Sequence, residues 1–290
     1  MRLIDNDEDT GCTLRMEWDS VSEAVDGLDD AQPRNERNKA HLGESAEWWG
    51  SHMCDRRDRS WLTSALEHGD ADTLRSVEEM RERITASSPA FARSTPRRTR
   101  KRAQEWGDEI DSDRYLRRDV ECWDRMERTP RPSKTITIAV EVGVLGGVCR
   151  EEMLPRGAAV VALADWLVRE GYSVEIKAIW HSQDIYAHEA GASGLGVITV
   201  KPARAPLDTT AIATASCEIA FARGVLLRSR IMHAAKVVPG SLGRTTRCND
   251  RILKALGVDV SANSDILTME AAQRWLEAAV ARISGDVVER

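Results

Sequence analysis

Apolar and polar residues alternate most regularly in the middle of the chain. The segment Thr135–Val144 is rich in β-branched residues that alternate with smaller or polar ones, which predicts a strand. Pro155 and Gly157 then open a stretch that is apolar around most of a helix and ends before Gly171, as in a buried helix with a glycine after its last turn. A second alternating segment ends at Trp180. Strands joined by a crossover of this length run parallel, so the pattern predicts an α/β, Rossmann-like fold with a largely parallel sheet flanked by helices.

Shifts in composition divide the chain into four parts. The first is polar and acidic, and the third changes from basic to acidic residues before a Pro-containing boundary. We therefore predict an N-terminal region that is partly disordered and partly helical, ahead of the α/β domain. The four predicted parts are a poorly ordered segment at 1–45, a small helical region at 46–86, a linker at 87–133 and the α/β domain at 134–285.

Several shorter elements have local signals. The Ser20 to Glu23 spacing predicts a capped helix. Amphipathic spacing predicts helices at 60–68 and 72–84, and a third strand ends at Pro202. The segment Asp265–Met269 is interpreted as the last strand.

Charge and cysteine usage exclude some classes of protein. The net charge is −6, which argues against a surface built entirely for nucleic acid but leaves room for a local basic patch. No apolar run reaches membrane-spanning length and the acidic start has no signal-peptide pattern, so we expect a cytoplasmic protein without membrane contact. The six cysteines form no Cys-x-x-Cys pair, so free, mostly buried thiols are expected and a structural zinc site is not.

The glycine-rich loop after the first strand lies where an α/β sheet presents a ligand. Its sequence, Gly143 to Cys149, lacks the third glycine of a dinucleotide fingerprint and the Gly-Lys-Ser/Thr of a phosphate-binding loop. No Gly-x-Ser-x-Gly or His-Glu-x-x-His motif occurs anywhere in the sequence. The sequence therefore predicts no catalytic residue, cofactor or metal, and the glycines favour a turn.

Charged and hydroxyl side chains nevertheless follow the predicted strands. Arg156 could bind an anion at a helix N-terminus or stabilise a loop or a carboxylate, and His181 stands where active-site residues often lie but is also typical of a capping residue. Asp208 is a candidate N-cap. The candidate binding residues at the carboxyl end of the sheet are Glu141, Arg156, His181, Asp184, Asp208 and Thr209.

A basic run precedes the α/β domain. It contains no acidic residue, but five acidic residues follow between Glu105 and Asp113. The run is either a phosphate-binding arm or a solvated linker whose charge those residues balance. Nucleic acid is thus a candidate partner for residues 93–102, through Arg97, Arg98, Arg100, Lys101 and Arg102.

The order of strand, loop, long helix, strand, strand and Leu-Asp-Thr-Thr helix resembles the von Willebrand factor A-like arrangement over residues 134–235. That resemblance implies a metal held by an Asp-x-Ser-x-Ser motif after the first strand, with a later Thr and Asp. Here the first motif reads Glu141-Val-Gly-Val-Leu, so both serines are replaced, and Thr209 or Thr210 matches the later Thr only loosely. A hard cation needs several oxygen ligands, so a degenerate metal site is expected.

A closer resemblance is to an uncharacterised family, a domain of unknown function found largely in bacteriophage and prophage genes. The residues that carry this resemblance are Glu121-Cys-Trp, Ile136-Thr-Ile-Ala-Val, the segment from Pro155 to Ile176, Pro206-Leu-Asp, Trp49-Gly50 and Ser60-Trp61. The resemblance implies a viral or mobile-element origin and supplies no reaction. For a phage-encoded protein, the expected location is the host cytoplasm or the virion.

Two hypotheses follow. The favoured one is a non-enzymatic binding or assembly protein that acts through protein partners in a phage programme. The other is a hydrolytic or nucleic-acid-acting enzyme that uses the charged residues at the carboxyl edge of the sheet. Fold analogy alone does not choose between them.

Overall fold

A computed structural model describes residues 1–27, 34, 58–86, 98–128, 134–143, 148–183, 193–233 and 244–288. The N-terminal elements are β1 (Arg2–Asp7), β2 (Cys12–Trp18), α1 (Val21–Asp26), α2 (Arg59–His68), α3 (Ala71–Ala86), β3 (Arg98–Gln104), β4 (Glu109–Ile110), α4 (Ser112–Leu116) and β5 (Trp123–Arg128). They are followed by β6 (Thr135–Glu141), α5 (Arg150–Arg169), β7 (Ser173–Gln183), β8 (Ser193–Lys201), α6 (Thr209–Cys217), α7 (Ile219–Phe221), a π-helix (Ala222–Leu227), α8 (Arg228–His233), β9 (Arg244–Thr245), α9 (Asp250–Ala255), β10 (Val260–Ala262) and α10 (Met269–Val288).

The predicted strand, helix and strand at the centre of the chain are confirmed as β6, α5 and β7. β6 and β7 pair in parallel from Thr135 opposite Ser173 to Glu141 opposite Ile179. All of β6 except Thr135 is buried, because helices cover both faces of the sheet at this point.

The helix begins earlier than predicted. α5 starts at Arg150, and Pro155 lies inside it. The Glu152 carboxylate accepts a hydrogen bond of 2.8 Å from the backbone N–H of Cys149 and so satisfies one unpaired donor at the helix start. A proline is most common in the first turn of a helix. Here the capping contact of Glu152 places the helix start at Arg150, before Pro155.

In the described part of the chain the main sheet has the strand order β1-β2-β8-β7-β6-β10, and β9 pairs with the end of β7. β2 with β8, β7 with β6 and β6 with β10 are parallel pairs. β8 runs antiparallel to β7, and β1 runs antiparallel to β2. The fold is therefore mixed α/β, with a mostly parallel six-stranded sheet.

The prediction that residues 1–45 are poorly ordered is wrong for residues 2–26. β1 and β2 form an antiparallel pair, and β2 extends the main sheet by pairing in parallel with β8, with Leu14 opposite Gly194. α1 is capped by Ser20, whose side chain accepts from the backbone N–H of Glu23, as the sequence predicted. Local polarity misled the prediction because β1 is an edge strand and most of its residues are exposed.

The predicted linker at 87–133 is also wrong for residues 98–128. These residues contain a three-stranded antiparallel sheet in the order β3-β5-β4, hereafter the small sheet. The basic run from Arg98 onward is part of β3, and Arg98 lies opposite Arg128. Arg97 lies outside the described residues.

The C-terminal part corrects one further boundary. The last strand is Val260–Ala262, parallel to β6, and the residues after it do not form the predicted strand at 265–269.

The two predicted helices of the helical region are confirmed as α2 and α3. α5 and α6 pack on one face of the main sheet, and α3 and α10 pack against α5 on the same side. α9 packs on the other face, so the sheet lies between helices.

Candidate functional site at the carboxyl edge of the sheet

The site lies where the chain changes direction across the sheet. From β6 the chain passes through α5 to β7 on one side, and it later returns to β10 on the other. In an open α/β sheet, ligands bind at the carboxyl ends of the strands beside such a switch point. Glu141 is the last residue of β6, so it lies at this position.

The Glu141 carboxyl group is buried and bound internally. Its Oε1 accepts a hydrogen bond of 3.2 Å from Ser261 Oγ on β10, and the backbone N–H of Cys248 also donates to it. Burial raises the pKa of Glu141, although Ser261, Cys248 and the nearby Arg247 act in the opposite direction. This environment favours a neutral carboxyl group that can donate or accept a hydrogen bond.

Glu141 gives a testable dependence of stability on pH. Because the pKa of Glu141 in the folded state lies above the ordinary value of 4.5, the protonated carboxyl group stabilises the folded protein. This contribution is complete below pH 4.5 and is lost as the pH rises through the folded-state pKa. Glu141→Gln removes this titration. We expect the variant to be as stable as the natural protein or more stable near pH 8, and its advantage to shrink toward about pH 5.

Urea unfolding at several pH values measures this difference. Glu79→Gln, at an exposed position of α3, is the matched control for the loss of one carboxylate. A loss of stability in Glu141→Gln at pH 8 that the control does not show would mean that the charged carboxylate is stabilised by its neighbours, and the argument from burial would be wrong.

His181 lies on the adjacent strand and on the same face as Ile179. Its Nδ1 is 2.8 Å from Thr246 Oγ1 and 3.3 Å from the carbonyl oxygen of Arg247. Burial lowers the pKa of His181, and the Arg230 cation lowers it further, so the imidazole is neutral near pH 7. Thr246 and Arg247 thus hold His181, while the next residue, Cys248, holds Glu141.

Arg156 does not lie at the helix N-terminus. It is fully buried inside α5, where Nη1 donates to the carbonyl of Glu141 at 2.8 Å and Nη2 donates to the carbonyl of Ser216 at 3.2 Å. Burial lowers the pKa of Arg156 to about 10. Of the two interpretations of this residue, the observed contacts favour the stabilising one, since the side chain ties the end of β6 to the end of α6.

The predicted residues do not all come together. Glu141, Arg156 and His181 share the carboxyl edge, but Asp208 and Thr209 follow β8, which ends at the opposite edge, where Ser173 Oγ donates to the carbonyl of Ala203. Asp208 is the N-cap of α6 and accepts from two backbone N–H groups, as its position predicted. Asp184 lies outside the described residues.

Arg230 is a buried residue of this edge that the sequence interpretation missed. Its guanidinium lies 5.4 Å from the centre of the Trp180 ring. A Cβ at Gly194 would lie 3.0 Å from Arg230 Nε, so the glycine makes room for the guanidinium. Arg230 is one of three arginines in the mostly apolar stretch Ile219–His233, and no local pattern distinguishes it from the other two.

A second buried charged cluster joins three helices beside the start of α5. Arg150 Nε donates to Glu218 at 2.8 Å, and Thr73 Oγ1 bonds to Glu218 at 2.6 Å and to Asp70 at 2.7 Å. Burial disfavours the charged Arg150, but Glu218, Asp70 and Glu151 together outweigh it and raise the pKa of Arg150. These residues lie far apart in the sequence, so no local pattern predicts the cluster.

Metal and thiol chemistry can be assessed for the described residues. No three His, Cys, Asp or Glu side chains among them converge on a metal position. The five cysteines described are free, and all except Cys149 are buried, as expected from their spacing. Burial raises the pKa of Cys217 to about 12, which suppresses its thiolate.

A second candidate binding surface, which is apolar and exposed, lies beside the small sheet. The described residues include eight exposed large apolar side chains, and five of them, exposed by 46% to 78%, lie in the fifteen-residue segment 106–120 between β3 and β5. They form what we call the 106–120 surface, which consists of Trp106, Ile110, Tyr115, Leu116 and Val120.

A family model matches residues 7–273, which include β2, the small sheet and the carboxyl-edge site. The chain belongs to the DUF7192 family, a domain of unknown function. No curated protein and no solved structure matches this DUF7192 chain. No single helix in the described ranges is long and apolar enough to cross a membrane, and the stretches Thr209–Cys217 and Ile219–His233 reach that composition only as a pair bent by 78°.

Proposed function

We propose that the protein is a non-enzymatic binding or assembly protein that acts through protein contacts made by the 106–120 surface. The observation that carries this proposal is the concentration of exposed large apolar side chains in the segment between β3 and β5. Water disfavours such a cluster, and exposed Trp and Tyr side chains are typical anchors of protein interfaces.

The contacts at the carboxyl edge also favour binding over catalysis. Arg156 donates to backbone carbonyls, Glu141 is bound by Ser261, and Asp208 caps a helix at the other edge. The enzyme alternative needs these groups in one pocket, so it has less support.

We further propose that the main domain is a von Willebrand factor A-like scaffold with a degenerate metal site. The connection from β6 through α5 to β7 and the antiparallel β8, with β10 on the other side of β6, supports this assignment. Glu141 at the first motif position bonds to Ser261, and Gly143 replaces the first serine.

The proposed phage or prophage origin rests on the sequence resemblance. Gene order tests it, because an origin of this kind places the gene beside head, tail or replication genes. Placement among genes unrelated to any mobile element would contradict it.

Affinity capture from infected cells tests the protein contacts. We expect the full-length chain to recover a stoichiometric protein partner, and Leu116→Ser/Val120→Ser to lose it because the exposed apolar anchors are gone. Val168→Ser, at an exposed apolar position of α5, is the matched control and should retain the partner. Equal recovery by all three proteins would overturn the proposal, as would turnover of a substrate without any partner.

A further inference from the structure

The charges of the small sheet are segregated between its edges. β3 and β5 contain six basic residues and two acidic ones; the basic residues are Arg98, Arg100, Lys101, Arg102, Arg125 and Arg128. The register places Arg98 opposite Arg128 and Lys101 opposite Arg125. One of the two acids, Asp124, is buried, so the β3 side of this sheet carries a surplus of positive charge.

The acidic residues after the basic run lie mainly beyond the far edge of this sheet. Seven acids and three arginines occur between Glu105 and Glu121, and this segment includes β4 and α4. β5 separates β4 from β3, so two strand spacings, about 10 Å, lie between them. That distance is roughly one Debye length at 0.1 M salt, so the acids only partly screen the β3 edge.

An aromatic ring stands beside the basic strands. The guanidinium of Arg125 lies 3.9 Å from the centre of the Trp106 ring, and 62% of Trp106 is still exposed. Proteins that bind single strands combine basic residues along the phosphate backbone with exposed rings on which bases stack. A duplex hides the faces of its bases, so an exposed ring favours single strands.

We propose that the β3 edge of the small sheet, together with Trp106, binds single-stranded nucleic acid. The basic residues of β3 supply positive charge that attracts the phosphates, and the indole ring of Trp106 stacks on a base. This inference goes beyond the proposed protein contacts and depends on β3 and Trp106. Because Trp106 is also part of the 106–120 surface, the protein contacts are tested at Leu116 and Val120 alone. The protein would then link a nucleic acid to a protein partner.

Fluorescence anisotropy with the full-length protein tests this inference. The probes are labelled oligo-dT and oligo-U of about 20 nucleotides, and a duplex of equal length. Arg98→Gln/Arg100→Gln/Lys101→Gln should weaken single-strand binding at least about tenfold near 0.1 M salt and reduce the salt slope by about 2. Trp106→Ala should weaken binding about fivefold to a hundredfold, since a stacked base is lost.

Matched controls separate local contacts from net charge and from folding. Arg75→Gln/Arg274→Gln/Arg282→Gln removes the same charge from exposed positions of α3 and α10 and should bind like the natural protein. Leu116→Ser/Val120→Ser should also retain the oligonucleotide, whatever it does to protein capture. Absence of single-strand binding, equal losses in the two triple variants, or a preference for the duplex would each overturn the inference.

Discussion

Replacing Arg150 with methionine is expected to lower the free energy of unfolding by about 3–5 kcal/mol. The guanidinium joins α5 to Glu218 and Thr73, and the Glu218 side chain is almost completely buried. Methionine fills much of the same volume but leaves the carboxylate buried without its cationic partner. Urea unfolding at neutral pH measures the loss.

Two further variants make this expectation specific. In Arg150→Met/Glu218→Leu both charges are gone, and most of the lost stability should return because no buried charge is left unpaired. Arg75→Met breaks the exposed pair with Asp72 on α3 and should change stability by less than about 1 kcal/mol. A loss below about 1 kcal/mol in Arg150→Met would show that water reaches the Glu218 carboxylate and replaces the guanidinium.

Gly157→Ala is the second change with a large expected effect. A Cβ at this position of α5 would lie 2.1 Å from Cys217 Sγ on α6, so the two helices must move apart. We expect a net loss of about 1–3 kcal/mol, even though alanine is the better helix former. Thermal or urea unfolding measures it.

The neighbouring atoms suggest a rescue. Once Cys217→Ala removes the sulfur, the nearest atoms to the new methyl group are the Cβ atoms of Ser216 at 3.4 Å and of residue 217 at 3.8 Å, which are ordinary contacts. Gly157→Ala/Cys217→Ala should therefore be more stable than the sum of the two single changes predicts. Gly285→Ala, where a Cβ meets no atom, is the control and should be neutral or stabilising. Additive effects would contradict the proposed close approach.

The two proposals place a protein-binding surface and a nucleic-acid-binding surface at the same small sheet. The 106–120 surface offers apolar anchors for a protein, and the β3 edge offers positive charge beside an exposed ring. Arg98 to Lys101 lie in β3, and Leu116 and Val120 lie in the segment between β4 and β5 of the same small sheet, so each set of variants controls the other for folding.

Part of the candidate site was predictable because strand ends can be read from local alternation. The end of β6 places Glu141 and the end of β7 places His181, and both lie at the predicted edge. The partners of these residues, Ser261 and Thr246, come from segments more than sixty residues away. The spacing of residues within a strand does not predict these distant partners. It does not predict the contact between Arg230 and Gly194 either.

The sequence by itself determined the β6, α5 and β7 unit, the caps at Ser20 and Asp208, and the free thiols. Each of these depends on residues close together in the chain, where periodicity and capping chemistry act directly. Only the tertiary structure decided that β2 adds to the sheet beside β8, that the basic run becomes an edge strand, and that Arg156 binds backbone carbonyls. Those outcomes depend on which distant surfaces bury one another, because a polar edge strand and a linker have the same local composition.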